Sequence, residues 1–198
     1  MVPIKKSDIH FLKDTGIFIQ KKEVTSAVIS ILERSRKSIK FEIEESGLVL
    51  PNDVDVIHGK ISRGENYKGF PWIVLDYPKH FSKESILVCR TIFWWGNDIS
   101  FTLLLQGKAF EKREKTILKN IFSLKKKQVL ICVHENPWEH HFNKENYVLL
   151  DTLEAKQIKN LISEKSFVKL ARKLPIAKVN QLPAFCRESF TVFSVLLS

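Results

Sequence analysis

The sequence predicts a single α+β domain over residues 1–198, with a mostly antiparallel central sheet and flanking helices. The chain is long enough to bury a substantial core, and its 44% hydrophobic and 27% charged residues are typical of a globular protein. Alternating apolar patterns fill the middle of the chain, and helical patterns precede and follow them. Because no internal repeat or Gly/Ser linker interrupts the chain, we expect no domain boundary.

A helical pattern is the first clear signal. Residues 22–36 show the spacing of one buried helical face, carried by Val24, Ala27, Val28, Ile31 and Leu32. Residues 38–45 then alternate between apolar and charged side chains, which predicts a half-buried strand. Short extended pieces are expected at 48–51 and 54–62, and a further strand at 70–76.

Residues 85–106 predict a β-hairpin that turns at residues 96–98. With this three-residue loop Phe93 pairs with Phe101, and one face of the hairpin is almost wholly apolar. A two-residue loop would instead bury Arg90 among apolar side chains without an evident partner. The three-residue loop is therefore the predicted connection.

The second half of the chain predicts helices around one short strand pair. The strands are expected at 128–133 and 147–150. Helices are expected over 109–123, from a capping box at Asp151, between Ser166 and Pro175, and from Pro183 onward. The last helix carries an apolar stripe, which predicts that it docks on the core.

Basic residues are concentrated in the second half. Residues 1–106 carry a net charge of +2 and residues 107–198 one of +8, and the segment 108–127 holds eight basic and two acidic residues. The predicted helix projects Lys108, Lys112, Lys115 and Lys119 within a narrow arc. This pattern favours binding of an acidic partner, protein or nucleic acid, although a solvated helix face would look the same.

A second candidate binding surface is aromatic. The side of the hairpin that carries Arg90 and Trp94 could combine with Tyr67 and Trp72 to recognise a nucleobase or a peptide, because aromatic rings stack and Arg donates directed hydrogen bonds. Thr102, Gln106 and Tyr77 belong to the same candidate surface. The alternative is that the C-terminal helices cover this side and make it part of the core.

Catalysis is the competing hypothesis. His80, Asp76 and Arg63 lie near the two ends of the predicted 70–76 strand, where His80 beside Asp76 would suit an oriented general base. This interpretation places the pocket of a small enzyme at the 63–80 loops. The sequence has no nucleophile elbow and no glycine-rich phosphate loop, and charged loop ends are usually only solvated.

Metal-ligand residue types cluster between Cys132 and His141, but the spacing is not that of a zinc motif and Pro137 prevents one shared helix face. The pattern favours a polar loop between two strands, tipped by an aromatic residue, so no metal and no cofactor are predicted.

The three separated cysteines suit buried, reduced thiols. Without a signal peptide or a long apolar run, the chain is expected to be cytoplasmic, with no membrane partner.

The run GENYKGFPWIVLDYP…FSKESI…RTIFWWGNDISFTL covers about the central third of the chain. It resembles a family of uncharacterised bacterial hypothetical proteins. The resemblance implies an intact bacterial cytosolic domain and assigns no activity to any residue. The leading hypothesis is therefore a non-catalytic binding module that uses the basic face and the aromatic hairpin. A small enzyme is the alternative, and an uncovered hairpin face would make a homodimer a third option.

Overall fold

The computed structural model describes residues 3–198, which form one seven-stranded, fully antiparallel sheet in the order β1-β2-β3-β4-β7-β5-β6. The strands are β1 (Lys60–Tyr67), β2 (Phe70–Phe81), β3 (Ser85–Trp94), β4 (Asp98–Gly107), β5 (Leu130–Cys132), β6 (Tyr147–Leu149) and β7 (Phe167–Pro175). The predicted α+β class with an antiparallel sheet is confirmed.

The helices are α1 (Lys6–Lys13), α2 (Thr15–Ser46), α3 (Lys108–Glu111), α4 (Glu114–Asn120), α5 (Ala155–Ser163) and α6 (Leu182–Ser194). Asp14 caps α2 by accepting from the backbone N–H groups of Gly16 and Ile17, and Gly47 ends it with a φ of 63°. Within the described residues no helix combines the length and the apolar character needed to cross a membrane.

The two faces of the sheet are covered differently. The first face, marked by Ile73, Cys89 and Phe101, shares one large core with the buried residues of α2 to α6. The second face, marked by Val74, Arg90 and Lys169, lies under the cover loop (residues 133–146), which joins β5 to β6. A small second core of Val88, Leu104, Cys132, Tyr147, Phe167 and Ala171 forms there.

The central hairpin confirms the predicted assignment of side chains to faces and corrects the predicted pairs. Its loop has three residues, but they are 95–97 instead of 96–98, so Phe93 pairs with Ile99 and not with Phe101. A shift of two residues leaves every side chain on its predicted face, because the side-chain period of a strand is two. The backbone N–H of Trp95 leaves the hairpin ladder and donates to the carbonyl of Pro71 at 3.1 Å.

The strand predicted at 38–45 is wrong, because α2 continues to Ser46. Ile39 is fully buried and extends the helical stripe of Val28, Ile31 and Leu32, while Phe41 is exposed. The charged residues that alternate with the apolar ones are good helix formers, so local propensity did not oppose the longer helix.

The helix predicted between Ser166 and Pro175 is also wrong. This segment is β7, which pairs along its whole length with β4 in the middle of the sheet. Its two faces alternate, with Val168 and Leu170 toward the helices and Lys169 toward the cover loop. The two basic residues Lys169 and Arg172 concealed this pattern, since both are buried against partners that are distant in sequence.

The remaining elements follow the sequence prediction with changed bounds. The long helix predicted at 109–123 breaks at Lys112 into α3 and α4, and the capping box of α5 is formed by Glu154 and Gln157, not by Asp151. The pairing of β5 with β6 is confirmed. So is the docking of α6 on the core through its apolar stripe, Phe185, Cys186, Ser189, Phe190 and Phe193.

Candidate binding pocket on the second face of the sheet

A pocket of about 300 Å³ lies between the second face of the sheet and the cover loop. It is lined by Ser62, Asn66 and Tyr67 of β1, Trp72 and Val74 of β2, Arg90, Ile92 and Trp94 of β3, Asp98 and Ser100 of β4, and Trp138, His140 and Phe142 of the cover loop. Five of these side chains are benzene-ring or indole aromatics, and three of the four tryptophans are among them. The lining is thus aromatic with a few polar groups, as small-molecule sites are.

Strand register places the aromatic wall. Trp72 and Trp94 are direct cross-strand partners on β2 and β3, and the Trp94 indole lies 5.1 Å from the Tyr67 ring between centroids. The Trp94 indole N–H donates to the carbonyl of Tyr67 at 3.3 Å. Trp72 lies over Gly64, where a Cβ would approach the indole to 2.6 Å. Glycine suits position 64 because any side chain there would displace the Trp72 indole from its place.

Arg90 forms the floor of the pocket and is held in an ion pair with Asp76. Arg90 donates from Nε and Nη2 to the two carboxylate oxygens of Asp76 at 2.6 and 2.9 Å, and the Asp76 side chain is only 6% exposed. The guanidinium carbon lies 5.3 Å from the centre of the Trp138 ring. Because both carboxylate oxygens are bonded, the charge of Arg90 is compensated and the floor is close to neutral.

The hydroxyl of Tyr67 fastens the cover loop to the sheet. It accepts from the backbone N–H groups of His140 and His141 at 2.7 and 3.2 Å, and it donates to Glu139 at 3.0 Å. This last hydrogen bond is the main cause that lowers the pKa of the Glu139 carboxyl below its usual value. Tyr67 therefore both lines the pocket and positions the residues that close it.

Lys169 fastens the same loop from the other side. Its side chain is buried on β7, and its ammonium donates to the carbonyls of Pro137 and Glu139 at 2.7 and 2.6 Å. Burial lowers the pKa of Lys169 from 10.5 to about 8. The ammonium of Lys169 thus holds the cover loop in place through hydrogen bonds to its carbonyls, although the loop contains no helix or strand.

His140 is a wall of the pocket and is not free to act as a base. Its Nε2 lies 3.4 Å from Nη1 of Arg90, and its Nδ1 lies 3.4 Å from Nζ of Lys169. Burial, followed by the charges of Lys169 and Arg90, holds the pKa of His140 well below its ordinary value. The imidazole is consequently neutral near pH 7, and both ring nitrogens point at neighbouring side chains.

The polar groups at the rim complete the lining. Asp98 accepts from Lys173 at 2.8 Å, so this carboxylate is also compensated. The hydroxyl-bearing side chains of Ser62 and Ser100 line the pocket as well. The pocket offers ring faces for stacking and hydroxyls for hydrogen bonds, with its charges neutralised.

The structure brings four sequence-predicted binding residues together: Arg90, Trp94, Tyr67 and Trp72 all line the pocket. The C-terminal helices do not cover this side, because α6 packs on the first face. Tyr77 does not belong to the pocket, since it is fully buried in the core on the helix side.

The predicted lysines lie elsewhere. Lys108, Lys112, Lys115 and Lys119 are all exposed on α3, the α3–α4 junction and α4, which pack against the first face. Lys108 pairs with Glu84 and, with Lys112, borders a shallow hollow of about 50 Å³ near His80. The basic face and the aromatic pocket are therefore two separate surfaces.

The proposed catalytic residues are not brought together. His80 contacts Asp53, with its Nδ1 3.0 Å from the backbone carbonyl, and Asp76 pairs with Arg90 instead. Arg63 is the cross-strand partner of Ile73 and so points to the first face, whereas Asp76 lies on the second. The three residues form no common site at the 63–80 loops.

Trp138, His140 and Phe142 are the pocket residues that the sequence did not point to as binding residues. The stretch was correctly interpreted as a polar loop between two strands, tipped by an aromatic residue, but nothing in it indicates which face it covers. Within the described residues no group of three or more His, Cys, Asp or Glu side chains is placed to hold a metal ion. The three cysteines are free and buried.

No protein-family model, curated protein or solved structure matches the chain. The resemblance to uncharacterised bacterial proteins stays a prediction, as does the cytoplasmic location.

Proposed function

We propose that this chain is a non-catalytic binding protein whose pocket on the second face takes an uncharged planar heteroaromatic group, such as a nucleobase. The observation that carries the proposal is the aromatic lining around a floor whose charge is compensated: Tyr67, Trp72, Trp94, Trp138 and Phe142 surround the Arg90–Asp76 pair. Aromatic rings stack on every nucleobase, and this stacking contributes about 1–3 kcal/mol per base.

The polar lining supports a heteroaromatic ligand over a plain hydrocarbon. Ser62 and Ser100 can donate to or accept from the edge of a ring. An anionic group is disfavoured in the pocket, because the positive charge of Arg90 is already paired with Asp76. At the rim, the positive charge of Lys173 is likewise paired with Asp98. A volume of about 300 Å³ suits one ring system with a small substituent.

Quenching of the intrinsic fluorescence tests this proposal, since three of the four tryptophans line the pocket. We expect nucleosides to quench it and free ribose to leave it unchanged. Trp94→Ala should raise Kd for the best nucleoside about tenfold to hundredfold, because one stacking surface is lost. Trp95→Ala is the matched control: Trp95 packs on Phe93 in the first-face core, 5.6 Å between ring centroids. Equal losses in both variants, or no quenching by any nucleoside, would refute the pocket as the site.

The basic face supports a second candidate function, binding of an acidic partner, protein or nucleic acid. Lys112, Lys115 and Lys119 are exposed, and within residues 3–198 none of these three forms a salt bridge. We expect Lys112→Glu, Lys115→Glu and Lys119→Glu combined to weaken retention of a single-stranded oligonucleotide or of polyglutamate by about tenfold or more at low salt. The thermal midpoint should not fall. Unchanged retention of both polyanions would end this candidate.

A further inference from the structure

The N-terminal arm (residues 3–24) exposes an unusual share of the apolar surface. Half of the sixteen large hydrophobic side chains exposed on the described chain lie between Ile4 and Val24, each 38% to 68% exposed. None of the residues described for α1 is buried, and the buried residues described for α2 begin at Val28. The arm thus extends past the core of the domain.

The arm is held to the rest of one copy mainly at its C-terminal end, where Lys21 forms a salt bridge with Glu65 of β1. Isolated helices shorter than about 12–15 residues are marginal in water, and α1 has 8. An aromatic contact joins α1 to α2: the rings of Phe11 and Phe18 lie 6.4 Å apart between centroids. Most of its apolar surface faces solvent, so a further surface is needed to cover it.

The distribution of side chains favours another helical arm as that surface. Ile17, Phe18 and Ile19 are consecutive in α2 and point in three directions, about 100° apart. A helix that lies on a bilayer buries one apolar face in the membrane and keeps its other faces polar, which does not fit this spread. Charges of both signs are interspersed along the arm, which carries five lysines and three acidic residues: Lys5, Lys6, Lys13, Lys21, Lys22, Asp8, Asp14 and Glu23.

We propose that two copies of this chain associate through their N-terminal arms. With roughly 170 Å² for a fully exposed large apolar side chain, the exposed fractions of the eight residues amount to roughly 700 Å² per copy. This is of the order of the ~800 Å² that each partner of a standard interface buries. Helices from two copies can cover one another from more than one side, which matches the spread of apolar positions. This inference is independent of the ligand pocket, which lies on the second face.

Sedimentation equilibrium of the full chain over a wide range of concentration tests the proposal. We expect the wild type to reach twice its 23.0 kDa mass. Phe11→Ser combined with Phe18→Ser should weaken the association about a hundredfold, because each substitution removes an aromatic side chain that the proposed interface would bury. Val49→Ser combined with Ile57→Ser is the control, because these residues are 86% and 62% exposed outside the arm. It should associate as the wild type does.

Cross-linking identifies the arm directly. The three native cysteines are buried, so Ile17→Cys should join two copies through a short bis-maleimide, and Val49→Cys should not. A single-chain mass for the wild type at every concentration would overturn the proposal. Equal dissociation of the arm and control variants would do the same. A monomer that floats with anionic vesicles, and loses this with Phe11→Ser and Phe18→Ser, would assign the arm to a membrane surface instead.

Discussion

Replacing Arg90 with methionine is expected to lower the free energy of unfolding by about 3–5 kcal/mol. The change leaves the carboxylate of Asp76 unpaired, with a side chain only 6% exposed. An uncompensated charge at such a position is far costlier than the loss of an exposed ion pair. Urea denaturation at neutral pH measures the effect.

Two further variants separate the pair from the charge. Arg90→Met combined with Asp76→Leu should recover most of the lost stability, because exchanging a whole buried pair for apolar side chains is often neutral. Lys173→Met breaks the half-exposed pair with Asp98 and should cost less than about 1 kcal/mol. If Arg90→Met lowered the free energy of unfolding no more than Lys173→Met does, the Arg90–Asp76 pair would not be a structurally important buried pair.

Lys169 is expected to make the stability of the chain rise between pH 8 and pH 10.5. Its pKa is 10.5 ordinarily and about 8 in the folded chain, chiefly through burial. Below pH 8 the amine is charged in both states, and the full burial penalty is present. Between the two values the unfolded chain binds more protons, so the free energy of unfolding increases with pH. The difference corresponds to about 3 kcal/mol.

The pH-dependent part is isolated by comparison with a variant. Urea denaturation of the wild type and Lys169→Met at pH 7 and pH 10.5 should show that the wild type gains about 3 kcal/mol relative to the variant over this interval. Lys173→Met, on the same strand but exposed, should keep the wild-type dependence. An identical pH profile in wild type and Lys169→Met would contradict the buried amine.

The central hairpin shows what local sequence determines. Alternation assigned residues 88–95 and 99–106 to their correct faces and placed Arg90 and Trp94 on one side, where the pocket lies. The exact pairs were wrong by two residues, because a shift of two changes no face and so leaves no trace in the apolar pattern.

The two wrong secondary-structure assignments lie where contacts with residues distant in sequence determine the structure. Residues 38–45 alternate like a strand but lie in α2, since α6 supplies a partner for a longer helix through Glu42, which accepts from Arg187 and Thr191. β7 was missed because Lys169 has its partners in the cover loop and Arg172 has Ser189 and Glu188 in α6. The sheet residues of the pocket were predictable, whereas those of the cover loop depend on where that loop folds back.

The most direct test of the binding pocket is a two-dimensional NMR titration of the four tryptophan indole N–H signals with the nucleoside that quenches best. We expect the signals of Trp72, Trp94 and Trp138 to shift together with one Kd, because all three line the pocket. The Trp95 signal should stay in place, because its ring lies in the first-face core. Shifts confined to Trp95, or four unchanged signals at saturating nucleoside, would contradict a heteroaromatic-binding pocket on the second face.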